Sequence, residues 1–401
     1  MTPADPTSHD LPPAIDATPT ADANAQPASR RQRVEAWRVA CRSPADLSGV
    51  QALVASGELR PADIVAVMGK TEGNGCVNDF TRDFASTAWC HFLAPHLGCT
   101  VAEVHGRVAL VMSGGTEGVL SPHVTVFTRR WLDDTDPAPR HDEPRLVIGR
   151  AQTADFTPEQ IGRAAQIDAT AAAVRAAMSD AGIADAADVH FVQIKCPLLT
   201  AAQITDAAAR GQAAVAHDTY ESMGWSRGAS ALGVAVALGE LARDAVPDAA
   251  VLAQPELHSA RASASAGIEL AHNVVIVLGE ARGAASPLRI AHTVMRDAID
   301  ARSVRVLLRE AFGLDADRDA EALAARLVNL IAKAEASPDG RVRGARHTML
   351  DDSDINSTRH ARGAVGAVLA SVVGQTALYV SGGAEHQGPP GGGPVAVIVR
   401  V

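Results

Sequence analysis

The chain has 401 residues and a formal net charge of -10, a size that suggests two or three domains and an acidity that repels phosphate backbones and excludes nucleic acid as a partner. Hydrophobic residues reach 47% while aromatics are only 3%, which suits closely packed α/β layers and not a surface that stacks bases or sugars. Five cysteines without a C-x-x-C pair indicate neither a disulfide framework nor a zinc site. No apolar run of membrane length and no signal-peptide pattern occurs, so the expected setting is a reducing cytoplasm without membrane contact.

In chain order, residues 1–31 are rich in Pro, Ala, Thr and Asp without periodicity and read as a disordered extension. From Val34 onward, strand-like apolar runs alternate with Ala-rich helical stretches. Val108–Met112 reads as a strand, and Pro137, Pro139 and Pro144 mark a linker. Asp168 is placed to cap a helix over Ala169–Ala181, followed by a strand at His190–Ile194 and a helix at Ala231–Asp244. A second linker falls at Gly283–Pro287, then a helix over Ala320–Ala334 behind Asp319 and a strand at Ala377–Val380. The chain thereby divides into segments 32–135, 144–284 and 288–401.

Three features recur in the same order in each segment. A Lys closes or follows an apolar run in Val65-Ala-Val-Met-Gly-Lys70, Val192-Gln-Ile-Lys195 and Leu330-Ile-Ala-Lys333. An Arg then opens a small-residue helix at Arg82, Arg227 and Arg362. Last comes Ser-small-Gly-x-Glu, at Ser113 to Glu117, Ser265 to Glu269 and Ser381 to Glu385. Any one of these reads as a solvated side chain or an ordinary turn. Unrelated surface positions have no physical reason to keep one order across three divergent segments, so the pattern predicts a shared central site.

Around a pseudo-threefold axis, three Lys, three Arg and three Ser would line one cavity, suited to a small planar ring with three carbonyls. Each Arg donates hydrogen bonds to a carbonyl oxygen. A serine becomes nucleophilic when a neutral lysine takes its proton, and burial among other cations favours the neutral amine. Gly114, Ala266 and Gly382 follow the serines and let the backbone approach the substrate, where their N–H groups can face an oxyanion.

Competing motifs fail on letters or context. Gly69-Lys70-Thr71 imitates a phosphate loop, but Ile64 stands where its first glycine is required. No H-E-x-x-H occurs. Gly224-Trp-Ser-Arg-Gly228 spells a nucleophile elbow without the preceding strand. Gly73-Asn-Gly75 lacks the third glycine of a dinucleotide fingerprint.

Several longer strings resemble the cyanuric acid hydrolase and barbiturase family: Val67-Met-Gly-Lys-Thr-Glu-Gly-Asn-Gly75, Met112-Ser-Gly-Gly-Thr-Glu-Gly-Val-Leu-Ser-Pro-His123, Lys195-Cys-Pro-Leu-Leu-Thr200 and Ser381-Gly-Gly-Ala-Glu-His-Gln-Gly-Pro389. The resemblance covers roughly residues 34–401. It implies three homologous α/β domains around a pseudo-threefold axis and metal-free opening of a triazine ring to carboxybiuret, which loses carbon dioxide to give biuret. It also implies Ser265 as nucleophile and Lys195 as its activator, with Lys70–Ser113 and Lys333–Ser381 positioning the ring beside Arg82, Arg227 and Arg362. The letters alone do not choose among the three pairs, and Ser263 is a nearby rival. Ser265 is preferred because it keeps the spacing to Glu269 that matches Glu117 and Glu385.

The resemblance further implies a homotetramer and a structural Mg²⁺ or Ca²⁺ held by Glu335 with oxygens of Ala384, Gln387, Pro389 and Gly392, hard ligands suited to such a cation. No catalytic cofactor is expected. Two rival functions remain: ring opening of barbituric acid by the same residues, and binding of a small planar anion without chemistry.

Overall fold

A computed structural model describes residues 31–401 except 134, 139 and 140. The extension therefore lies outside the described residues, as does Pro139; Arg31, assigned to the extension, instead opens the first strand. The first unit runs β1 (Arg31–Ala40), α1 (Ser48–Ala55), β2 (Ile64–Thr71), α2 (Phe80–Leu97), α3 (Val104–Arg107), β3 (Ala109–Gly114) and β4 (His123–Leu132). The second runs β5 (Arg145–Gln152), α4 (Ala164–Ala181), β6 (Val189–Pro197), α5 (Ala201–Ala209), α6 (Thr219–Ala237), β7 (Ala262–Gly267) and β8 (Val274–Ala281). The third runs β9 (Leu288–Met295), α7 (Ala301–Phe312), α8 (Ala320–Arg326), β10 (Leu327–Ala334), a small hairpin of β11 (Arg341–Val342) and β12 (Ala345–Arg346), α9 (Ser357–Val373), β13 (Tyr379–Gly382) and β14 (Gly393–Arg400).

One topology is used three times. The strand orders are β1-β4-β2-β3, β5-β8-β6-β7 and β9-β14-β10-β13. In each sheet the second and third strands are parallel, and the last strand lies antiparallel between the first and second. The crossover between the parallel strands carries the long helix α2, α6 or α9, as parallel pairing requires.

Both faces of each sheet are covered, which explains why β2 and β10 are buried throughout. One apolar cluster joins all three sheets through residues such as Met68, Phe191, Ile276, Ile331 and Tyr379. The outer faces pack separately against their own helices, Leu93 in the first unit, Val174 in the second and Leu369 in the third.

The helix boundaries correct several expectations. Residues 327–334 are strand β10, and only Ala320–Arg326 is helical. Helical spacing there came from a short helix running directly into a strand buried on both faces, where an apolar run has no diagnostic period. The helix expected at Ala231–Asp244 begins at Thr219 and stops at Ala237, because Gly239 turns the chain with φ 69°. Asp168 lies inside α4 and pairs with Arg243 on the surface instead of capping. Asp319 occupies the N-cap position of α8 without a side-chain hydrogen bond.

Candidate active site

Strand alternation carries the lysines and serines to the centre. Side chains two residues apart share a sheet face, so Lys70 follows Met68, Lys195 follows Phe191 and Gln193, and Lys333 follows Ile331 on faces turned toward the common core. Ser113 follows Val111 and Ser381 follows Tyr379 in the same way. The register then aligns Lys70 with Ser113, Lys195 with Ser265, and Lys333 with Ser381. Three Lys–Ser pairs thus end the inner faces of three sheets.

The amines are bound to their own and neighbouring units. Lys70 Nζ donates to Ser113 Oγ at 3.1 Å and Gly114 O at 3.2 Å. Lys195 Nζ donates to Met112 O at 2.9 Å and lies 2.9 Å from Glu269 Oε1. Lys333 Nζ donates to Ala264 O at 2.8 Å and Gly382 O at 3.1 Å. All three are buried, and burial pulls every ammonium below its ordinary value. Lys333 falls to about 7, with Arg227 adding to the effect of burial. For Lys195, Glu269 opposes the fall and Arg82 adds to it.

The arginines come from the crossover helices, whose first turns are capped by Asp79, Asp218 and Asn356. Arg82 sits in the first turn of α2, but Arg227 and Arg362 lie farther along α6 and α9 than the expected opening position. Each meets the motif glutamate of another unit. Arg227 Nε and Nη2 donate to Glu385 at 2.8 and 2.6 Å, and Arg362 Nε and Nη2 donate to Glu117 at 2.7 and 2.6 Å. Arg82 Nε stands 3.6 Å from Glu269. The pairs run first unit to second, second to third and third to first, a closed cycle.

A small cavity at this junction is lined by Arg82, Arg227, Arg362, Ser113, Ser265 and Lys195, with Gly114, Ala266 and Gly382 beside them. Lys70, Lys333 and Ser381 stand behind this lining, reached through the strand register. Buried Ser265 Oγ and Ser381 Oγ make no hydrogen bond within the described protein, whereas Ser263 Oγ donates to Gln193 Oε1 at 2.8 Å. An uncommitted buried hydroxyl is costly unless a ligand engages it. Ser226, the elbow serine, is buried in the middle of α6 and accepts from Gln166.

Gly75, which closes the first family-like string, also lines the cavity, as does Met223, to which no sequence signal pointed. The three glutamates were visible as motif letters, but their pairing with arginines from other units is a tertiary fact. The glycines after the serines are explained by the same contacts. Gly115 and Gly383 have φ 102° and 74°, and a Cβ there would come within 2.5 and 2.7 Å of Arg362 and Arg227.

Of the expected metal ligands, Glu335 and Ala384 line a separate cavity, whereas Gln387, Pro389 and Gly392 are not part of its lining. Burial raises the Glu335 carboxyl to about 7, and Gly391 N donates to its Oε2 at 2.8 Å. The Gln387 side chain is committed: its Oε1 accepts from Ala264 N and its Nε2 donates to Gly383 O and Glu385 O. Among the described residues no cluster of three or more His, Cys, Asp or Glu is placed to hold a metal, and no helix is long and apolar enough to cross a membrane.

Buried Ser–Lys pairs beside forked arginines thus lie on three sheets of one topology. The chain belongs to the family described as amidohydrolase ring-opening proteins, which it matches over residues 35–400. It is 59% identical over 372 residues to a cyanuric acid amidohydrolase of Bradyrhizobium diazoefficiens, covering 93% of this chain and 99% of that one. It is also 59% identical to the cyanuric acid amidohydrolase of Pseudomonas sp. strain ADP, over 92% of this chain and 99% of the relative. A solved cyanuric acid hydrolase structure described as an evolutionary innovation by structural concatenation superposes with a TM-score of 0.89 at 58% identity, covering 92% of this chain and all of the other.

Proposed function

We propose that the chain hydrolyses cyanuric acid to carboxybiuret through a Ser265–Lys195 dyad at a pseudo-threefold centre formed by units 32–135, 144–284 and 288–401. The observation that carries this reading is the register of three Lys–Ser pairs inside a cycle of arginines from three units. A ring with three equivalent carbonyls meets three equivalent sets of donors. Neutral Lys195 takes the Ser265 proton as Oγ attacks a carbonyl carbon, and the oxyanion faces the backbone after the serine. The C–N bond then breaks, the ring nitrogen takes the proton from Lys195, and water releases the acyl group from Ser265. Carboxybiuret loses carbon dioxide to give biuret. Lys70–Ser113 and Lys333–Ser381 position the ring with Arg82, Arg227 and Arg362.

The second pair is favoured as the catalytic one because Ser113 Oγ already accepts from Lys70 and, of the two uncommitted hydroxyls Ser265 Oγ and Ser381 Oγ, only that of Ser265 belongs to a residue lining the cavity. The lysine of the second pair is also the one held by a carboxylate, Glu269. A structural Mg²⁺ or Ca²⁺ is proposed at Glu335 with backbone oxygens of Ala384, Gln387, Pro389 and Gly392, where it would supply the charge that keeps the buried carboxyl ionised. The assembly is proposed to be a homotetramer in the cytoplasm, read by light scattering on the purified protein.

The test is product formation from cyanuric acid and, separately, barbituric acid, with Ser265→Ala as control. Biuret that disappears in the variant supports the proposal, and turnover of barbituric acid alone replaces the substrate. Tight binding of either ring without product would leave a binding protein.

A further inference from the structure

Glu269 departs from its two counterparts in one contact. Glu117 and Glu385 each hold an arginine through two hydrogen bonds, whereas Glu269 is 2.9 Å from Lys195 Nζ and 3.6 Å from Arg82 Nε. The backbone differs as well. Gly115 and Gly383 turn the chain with positive φ, but Gly267 still belongs to β7 and is not among the positive-φ glycines. The Glu269 side chain folds back over Gly267, so closely that a Cβ there would meet its carboxylate at 2.2 Å. Arg82 is left with a buried Nε that makes no hydrogen bond, while its Nη2 donates to Cys76 O at 3.0 Å.

One carboxylate therefore faces two buried cations and can grip only one of them fully. The groups facing Lys195 are Glu269 after β7, Arg82 on α2 and Ser265 through the register, while Cys196, next on its own strand, is turned to the opposite face. We propose that Glu269 is a positioning residue that passes between Lys195 and Arg82, holding the Lys195 ammonium in the free enzyme and leaving it when substrate engages Arg82. The inference rests on the proposed role of Lys195 as the base.

When a ring carbonyl binds Arg82, its guanidinium takes the forked pose already seen for Arg227 and Arg362, and Glu269 closes on it with two hydrogen bonds. Lys195 loses its counterion, remains beside Arg82 and gives its proton to water. The neutral amine then accepts the Ser265 Oγ proton while the Oγ–carbon bond forms and the carbonyl π pair moves to oxygen. That proton goes to the ring nitrogen as the C–N bond breaks.

The pH dependence of kcat/KM reports the free enzyme and that of kcat reports the complex. In the wild type the acid limb of kcat should lie below that of kcat/KM by about one pH unit or more, the scale of removing an adjacent opposite charge. In Glu269→Gln no carboxylate reaches Lys195 in either state, so the kcat/KM limb moves down by that amount and the two limbs coincide. Glu269→Asp keeps the charge on a shorter arm and should fall between, which carries the test if the Gln variant folds poorly. Glu117→Gln, at the corresponding position, should raise KM and retain the wild-type gap.

A Glu269→Gln enzyme with an unmoved gap, or Gln and Asp variants equally slowed at every pH, overturns the inference. Turnover surviving in Ser265→Ala overturns the dyad itself and the role of Glu269 with it. A dead Ser265→Ala beside unmoved limbs in Glu269→Gln removes only the Glu269 role.

Discussion

Arg362→Met tests the cycle of inter-unit pairs. The substitution removes a guanidinium that is 3% exposed and that gives two hydrogen bonds to Glu117, itself 14% exposed. Breaking a buried pair by deleting one partner costs about 3–5 kcal/mol, because a charge is left stranded. Glu117 keeps Arg359 at 3.2 Å, on a side chain that is 39% exposed, so the lower end of that range, about 3 kcal/mol, is expected by urea unfolding. Losing a charged donor to substrate costs a further ~1.5–3 kcal/mol, a fall of roughly 10- to 150-fold in kcat/KM for cyanuric acid. Adding Glu117→Gln removes the stranded carboxylate and should restore about half or more of the lost stability, without restoring activity. If the two substitutions instead add within about 0.5 kcal/mol, the pair is not coupled and the reasoning fails.

Ser265→Ala should stop turnover with an unchanged melting temperature, whereas Ser263→Ala should keep turnover and lose about 1–3 kcal/mol by leaving buried Gln193 Oε1 without its donor; the reverse assignment of activity would make Ser263 the nucleophile. His123, His190 and His292 are pushed down to about 4, 3 and 4, chiefly by burial. A depressed folded-state value means that the unfolded chain binds the proton first, so stability should hold above about pH 6.5 and decline as the pH falls toward 4. Melting curves of wild type and His292→Phe across that window read the effect, and a flat wild-type profile would contradict it. Exhaustive chelation should lower the melting temperature, added Mg²⁺ or Ca²⁺ should restore it, and Glu335→Gln should abolish the response.

The threefold recurrence of Lys, Arg and Ser-x-Gly-x-Glu was readable in the letters because each unit needs the same side chains at the ends of the same elements. Strand alternation made the direction of Lys70, Lys333, Ser113 and Ser381 follow from their apolar neighbours two residues before. Residues 327–334 were misread as helix because a strand buried on both faces is apolar at every position, and periodicity then carries no information. The pairing of Arg82, Arg227 and Arg362 with Glu269, Glu385 and Glu117 joins residues from different units, so no local spacing encodes it. Only the tertiary structure decided that Glu269 lies closer to Lys195, at 2.9 Å, than to Arg82, at 3.6 Å, because that choice depends on how the second unit meets the first.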